Sequence, residues 1–155
     1  MDVRSILLPT DFSECARRAV PFAAELARLL GARVICLHVV EPAVPPVGWA
    51  PTAETLPAAA DFGEQLGEAA GRELPAFSGG EEFEGLEVED VVVRGEPAAE
   101  IVRAARERGA GLIVISSHGR TGLGRILFGS TAESVVRHAP CPVLVVKPPP
   151  EKEDS

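Results

Sequence analysis

A chain of 155 residues can bury one sizeable core, and 46% hydrophobic with 25% charged residues describes a globular domain rather than a disordered chain. Its formal net charge of −8 argues against a general binder of nucleic acid or anionic membrane, which presents a basic face. An anionic small ligand stays open, because backbone N–H groups bind phosphate locally whatever the net charge.

The N-terminal stretch Met1-Asp-Val-Arg-Ser-Ile-Leu-Leu-Pro-Thr-Asp11 lacks the long apolar core and cleavage signature of a signal peptide, and no apolar run approaches the ~20 residues of a membrane span. The first strand is predicted at Ser5–Pro9. Ser13 to Leu30 follows with Ala16, Ala19, Val20, Ala23, Leu26, Ala27 and Leu30 on one helical stripe, closed by Gly31. Pro21 removes a backbone donor inside that stripe, so a kink or a late start is expected there. Arg33–Val40 reads as a second buried strand. It carries Cys36, a small core residue, and His38, more simply a satisfied core histidine than a ligand. Three cysteines, an odd number with no C-x-x-C, suit a reduced, cytoplasmic setting.

Glu41–Pro57, rich in Pro and small residues and holding Trp49, is expected as a long loop. A weak helix over Asp61–Leu74 is diluted by Gly63, Gly67 and Gly71. The acidic run Glu81–Glu84 reads as solvated. Leu86–Arg94 alternates at its start, as a half-exposed strand near an edge does. Pro97–Arg108 is a helix with Pro at its first position. Gly111–Ser116 and Pro142–Lys147 are two more short, β-branched, continuous apolar runs, which suit strands covered on both faces. Between them Ser130–His138 is helical, with Ser130 and Glu133 at capping-box spacing. Residues 148–155 form a polar tail, expected to be disordered. Strict β-α alternation predicts an α/β fold with a parallel sheet, right-handed crossovers and helices on both faces.

In such sheets ligands bind beyond the C-terminal strand ends, where the strand order reverses. Pro9-Thr-Asp-Phe-Ser13 and Ser116-Ser-His-Gly119 end the first and fourth strands, and would flank one crevice if those strands are neighbours. Asp11 either accepts hydrogen bonds from a base or ribose, or it or Ser13 simply caps the following helix. Gly119, Gly122, Gly124 and Gly129 allow close backbone approach, and Gly129-Ser130 opens a helix whose free N–H groups suit a phosphate. Arg120 and Arg125 supply cations. The alternative is a strand-to-helix linker whose glycines only let the chain turn. His118 either donates to phosphate, acts as acid or base, or is structural. No Ser/His/Asp set and no metal-spaced cluster emerges.

The order Ile6-Leu-Leu-Pro-Thr-Asp-Phe-Ser13, Leu37-His-Val39, Gly95-Glu-Pro97, Ser117-His-Gly-Arg-Thr-Gly122, Gly129-Ser130 and His138-Ala-Pro-Cys-Pro-Val-Leu-Val-Val146 resembles the universal stress protein family over residues 1–147. The nucleotide-binding branch of that family carries Gly, two residues, Gly, nine residues, then Gly-Ser or Gly-Thr. Here the second glycine is Gly119 and the last pair Gly129-Ser130, but Ser116 stands at the first glycine position. The resemblance implies an open five-stranded Rossmann-like sheet of order 3-2-1-4-5. It implies an adenine pocket from Pro9, Thr10, Asp11 and the backbone of Val39. Ribose and phosphates would meet Ser116, Gly119, Gly129, Ser130 and Thr131, to which the position of His118 and Arg120 in the same stretch adds those two. It further implies bound ATP, with Mg²⁺ or Mn²⁺ as companion, hydrolysed slowly or not at all. A homodimer through Pro142–Lys147, an unspecified protein partner and a stress-linked regulatory role complete the expectation. The alternative, prompted by Ser116, is a dimeric adaptor that works without nucleotide.

Overall fold

The structure is a computed structural model that describes residues 2–42, 47–48, 50, 52–118 and 128–149. Strands β1 (Ser5–Pro9), β2 (Arg33–Val40), β3 (Val88–Arg94), β4 (Leu112–Ser116) and β5 (Val143–Val146) form one sheet in the order β3-β2-β1-β4-β5. Every neighbouring pair is parallel. Side chains alternate across a strand, so each buried strand must satisfy two cores at once. Ile6, Leu8, Val34, Cys36 and Val114 face one core. Leu7, Ile35, Leu37, Ile113 and Ile115 face the other. That is why these runs are apolar at every position.

Helices α1 (Glu14–Arg17), α2 (Val20–Leu30) and α3 (Leu56–Ser78) lie with the first core, which takes Ala23, Ala24 and Ala27 from α2 and Leu74 and Phe77 from α3. Helices α4 (Pro97–Glu107) and α5 (Ser130–His138) cover the second, through Ile101, Ala104 and Ala105 of α4 and Ala132 and Val135 of α5. The chain steps outward from β1 to β3 beneath one helical layer and returns through β4 to β5 beneath the other. The reversal falls between β1 and β4, which are neighbours.

The single helix expected over Ser13–Leu30 is two. Ser13 caps α1 by accepting the Ala16 N–H at 3.1 Å. The next helix starts late, at Val20, with Pro21 in its first turn where the missing N–H costs nothing. Gly31 ends it in the left-handed conformation, φ 63°. The helix expected over Asp61–Leu74 is longer at both ends, and by starting at Leu56 it shortens the loop expected over Glu41–Pro57. Trp49 lies outside the described residues, as do residues 150–155 of the expected tail. Gly63 and Gly67 leave room for the Arg94 side chain: a Cβ on Gly67 would sit 3.0 Å from its guanidinium. The acidic run Glu81–Glu84 is not simply solvated. Its 3-10 turn, Glu81–Phe83, buries Phe83 in the first core. Arg28 braces the turn by donating to the carbonyls of Glu82 and Glu84. Among the described residues no helix is long and apolar enough to cross a membrane.

Candidate functional site

Beyond the C-terminal ends of β1, β2 and β4 lies a cavity of about 490 Å³, within the ~300–1,000 Å³ usual for small-molecule sites. Its first wall is the turn that leaves β1. Thr10 is buried and extends the pairing with β2, its N–H donating to the Leu37 carbonyl at 2.8 Å. Its Oγ1 then accepts the Phe12 N–H at 3.0 Å, and Asp11 Oδ1 accepts the Ser13 N–H at 2.9 Å. These two local bonds close a tight turn in which Phe12 takes φ 64°, a conformation that costs a bulky residue ~1–2 kcal/mol. Asp11 lines the cavity and braces the approach to α1, while the cap itself is Ser13.

The second wall is the end of β2, from Leu37 to Glu41. Val39 is half-buried there, beside His38. His38 Nδ1 lies 2.8 Å from the Thr10 carbonyl. A carbonyl only accepts, so Nδ1 carries the proton and donates. The ring stacks on Phe12, with centroids 4.5 Å apart and planes 26° from parallel. The histidine is satisfied, as expected, but it is half-buried at the cavity wall rather than within the core.

The third wall is the end of β4 and the start of α5. Ser116 is 9% exposed and its hydroxyl donates to the His118 carbonyl at 2.9 Å. Ser117 ties the turn to both neighbours. Its N–H donates to the Val146 carbonyl at 2.9 Å, and its carbonyl accepts the Gly129 N–H at 2.6 Å. Its hydroxyl is 2.9 Å from His118 Nδ1. A Cβ at Gly129 would lie 3.3 Å from the Ser117 carbonyl oxygen, so a side chain there would press the two segments a few tenths of an ångström apart. Gly119 and Arg120, with Gly122, Gly124 and Arg125, lie outside the described residues.

The capping-box expectation for Ser130 is corrected. The N-cap of α5 is Gly129, extended at φ −69°, ψ 161°, and Ser130 is the first helical residue. One position inside the helix, the Ser130 hydroxyl does not cap, and Glu133 pairs with Arg137 at 2.9 Å instead of reaching back. Among the described residues α5 thus has no side-chain cap, and Gly129, Ser130, Thr131 and Ala132 line the cavity. The capped helices α1 and α4 contrast with it. The Glu96 carboxylate accepts from the N–H groups of Ala98 at 3.1 Å and Ala99 at 2.7 Å, filling the anion position of α4. α2 and α3 also begin without a side-chain cap, but it is the first turn of α5 that lines the cavity with its positive end.

Among the described residues the remaining side chains around the cavity are acidic or apolar. Asp11, Glu41 and Glu73 are its carboxylates. Among the described residues no group of three or more His, Cys, Asp or Glu is placed to hold a metal ion. The fourth wall escaped sequence reasoning. α3 contributes Leu66, Ala69, Ala70 and Glu73, and α4 contributes Pro97 and Ile101. The α3 residues fall at i, i+3, i+4 and i+7, one helical face, which is the signal that could have found them.

Comparison with known proteins agrees with this fold. The family model for the universal stress protein family matches residues 2–147. Universal stress protein MJ0531 of Methanocaldococcus jannaschii is 36% identical over 146 residues, covering 94% of this chain and 83% of its own. The solved structure of MJ0577, a universal stress protein of the same organism, superposes with a TM-score of 0.81 at 33% identity, covering 96% of this chain and 99% of that one. A universal stress protein from Archaeoglobus fulgidus, solved in complex with dAMP, has a TM-score of 0.59 at 30% identity and covers 95% of this chain and 100% of that one.

Proposed function

The chain belongs to the universal stress protein family, and we propose that within it this protein is an ATP-binding regulatory module whose conformation answers to the bound nucleotide. One observation carries the reading: the uncapped N-terminus of α5 lines a cavity that it shares with the Pro9–Asp11 turn and the end of β2. A phosphate chain suits the first, because several convergent N–H groups and the helix dipole favour an anion there. A flat base with hydrogen-bonding edges suits the second, where Asp11 and the Val39 backbone offer polar groups between apolar surfaces. Ser116, Ser130 and Thr131 line the same cavity, and His118, Gly119 and Arg120 would complete the phosphate end. The dAMP complex of the A. fulgidus relative supports a nucleotide of this class.

Mg²⁺ or Mn²⁺ would accompany the phosphates as their counter-ion, with the phosphates rather than a protein cluster supplying most ligands. In this reading ATP is held rather than turned over, with hydrolysis slow or nil. The short edge strand β5 leaves Leu144 exposed, and the proposed homodimer forms by pairing two copies of that edge in the cytoplasm. The protein that reads the module's state would be a separate partner.

Ser116 keeps the second reading, a nucleotide-independent dimeric adaptor, in play: it lines the cavity where the nucleotide-binding pattern has glycine. Calorimetry with ATP and Mg²⁺ decides between them. A ligand at ~100 times its Kd stabilises the fold by ~2.7 kcal/mol, so the ATP-binding reading expects both heat and a thermal shift at millimolar nucleotide. Neither signal would leave the adaptor.

A further inference from the structure

The ladder between β1 and β2 ends at the pair Pro9 and Leu37. Beyond it the chain leaving β1 turns through Phe12 in a strained conformation, and a strained turn keeps one shape only if its surroundings hold it. Three contacts do so from the β2 side. The Leu37 carbonyl takes the Thr10 N–H, His38 Nδ1–H reaches the Thr10 carbonyl, and the His38 ring lies flat on Phe12. Phe12 in turn meets the edge of Phe77 on α3, with ring centroids 6.1 Å apart. His38 thus acts on both sides of Asp11 in sequence, on the residue before it by a hydrogen bond and on the residue after it by stacking.

Resting on the nucleotide reading above, we propose that His38 is a positioning residue of the site. It locks the Thr10–Phe12 turn to the end of β2, so that Asp11 and the adjacent Val39 backbone meet the base as one rigid wall. A hydrophobic residue at 38 would fill the volume but release the Thr10 carbonyl. An amide would keep a donor near the Nδ1 position while losing part of the stack. The ring's other nitrogen, Nε2, has no partner among the described residues, so the role does not depend on a second bond.

Two measurements test this. Nitrogen-15 NMR of the free protein should find the His38 proton on Nδ1, with slow solvent exchange; a ring protonated on Nε2 alone would overturn the brace with no ligand present. Titration of ATP·Mg²⁺ into native, His38→Asn and His38→Leu proteins should then give a loss of about tenfold or more in affinity for His38→Leu, and a smaller loss for His38→Asn. Equal affinity in all three would overturn the positioning role while leaving nucleotide binding intact. No binding by the native protein would overturn the nucleotide reading and this role with it, even where the NMR found the brace.

Discussion

The hydroxyl of Ser116 donates to the carbonyl of His118 two residues on, at 2.9 Å. The side chain that stands in place of a glycine is therefore spent inside its own turn. Ser116→Gly removes that bond, worth ~0.5–1.5 kcal/mol net, and adds backbone freedom costing ~0.5–1 kcal/mol. Denaturant unfolding should show the sum of the two losses. ATP affinity should stay within about threefold, less than 1 kcal/mol. A tenfold gain in affinity would identify the serine as an obstacle to nucleotide.

Gly129 is tested by a single methyl. Gly129→Ala places a Cβ 3.3 Å from the Ser117 carbonyl oxygen, and alanine is a poorer N-cap than glycine. A stability loss of ~1 kcal/mol is expected, with a fall in ATP affinity of about tenfold as the leading N–H groups of α5 shift. Unchanged affinity in calorimetry would remove that helix end from the phosphate site.

At Phe12 the usual order of two substitutions should invert. Phe12→Ala discards the ring stacked on His38 but keeps the left-handed backbone strain at φ 64°. Phe12→Gly discards the ring and the strain together. Both should be less stable than the native chain, and alanine should be worse than glycine by ~1 kcal/mol. Thermal unfolding of the pair reads this directly, and glycine proving the worse of the two would contradict the strained turn.

Cys36 should be silent to thiol reagents. Burial, and secondarily the Asp90 charge on the neighbouring strand, push its thiol from the ordinary 9.0 up to about 12. The unfolded chain then loses the proton first. The contribution to stability is complete below about 9 and declines as pH rises from about 9 towards about 12. Quantitative labelling at pH 8 should leave Cys36 unmodified until denaturant is added. Cys36→Val should flatten the alkaline part of the stability profile.

Leu144 tests the proposed dimer. It is the exposed apolar residue of β5, and a charge opposite its own copy across a paired edge is unfavourable. Sedimentation should report a dimer for the native protein and a monomer for Leu144→Lys, with the cavity's ATP affinity retained in the monomer. A native monomer would refute edge pairing.

Much of this architecture is written locally. Ile6–Leu8, Val34–Leu37 and Ile113–Ile115 are apolar at every position because both faces of a central parallel strand are covered, and alternation with helical stripes leaves few other folds. The ends of β1 and β4, and the glycine that opens α5, could be picked out for the same reason: strand ends and helix starts have their own residue chemistry. Other features depend on neighbours distant in sequence. Gly63 and Gly67 argue against a helix until Arg94 is seen lying against them. Ser130 has the spacing of a cap until Gly129, held to Ser117, takes that place. His38 looks like core until Thr10 and Phe12 close over it. Periodicity and propensity are properties of a segment, so the chain announces its elements. Which polar group is already satisfied, and which helix end is left open to a ligand, depends on contacts across more than one element, and these exist only once the sheet has assembled.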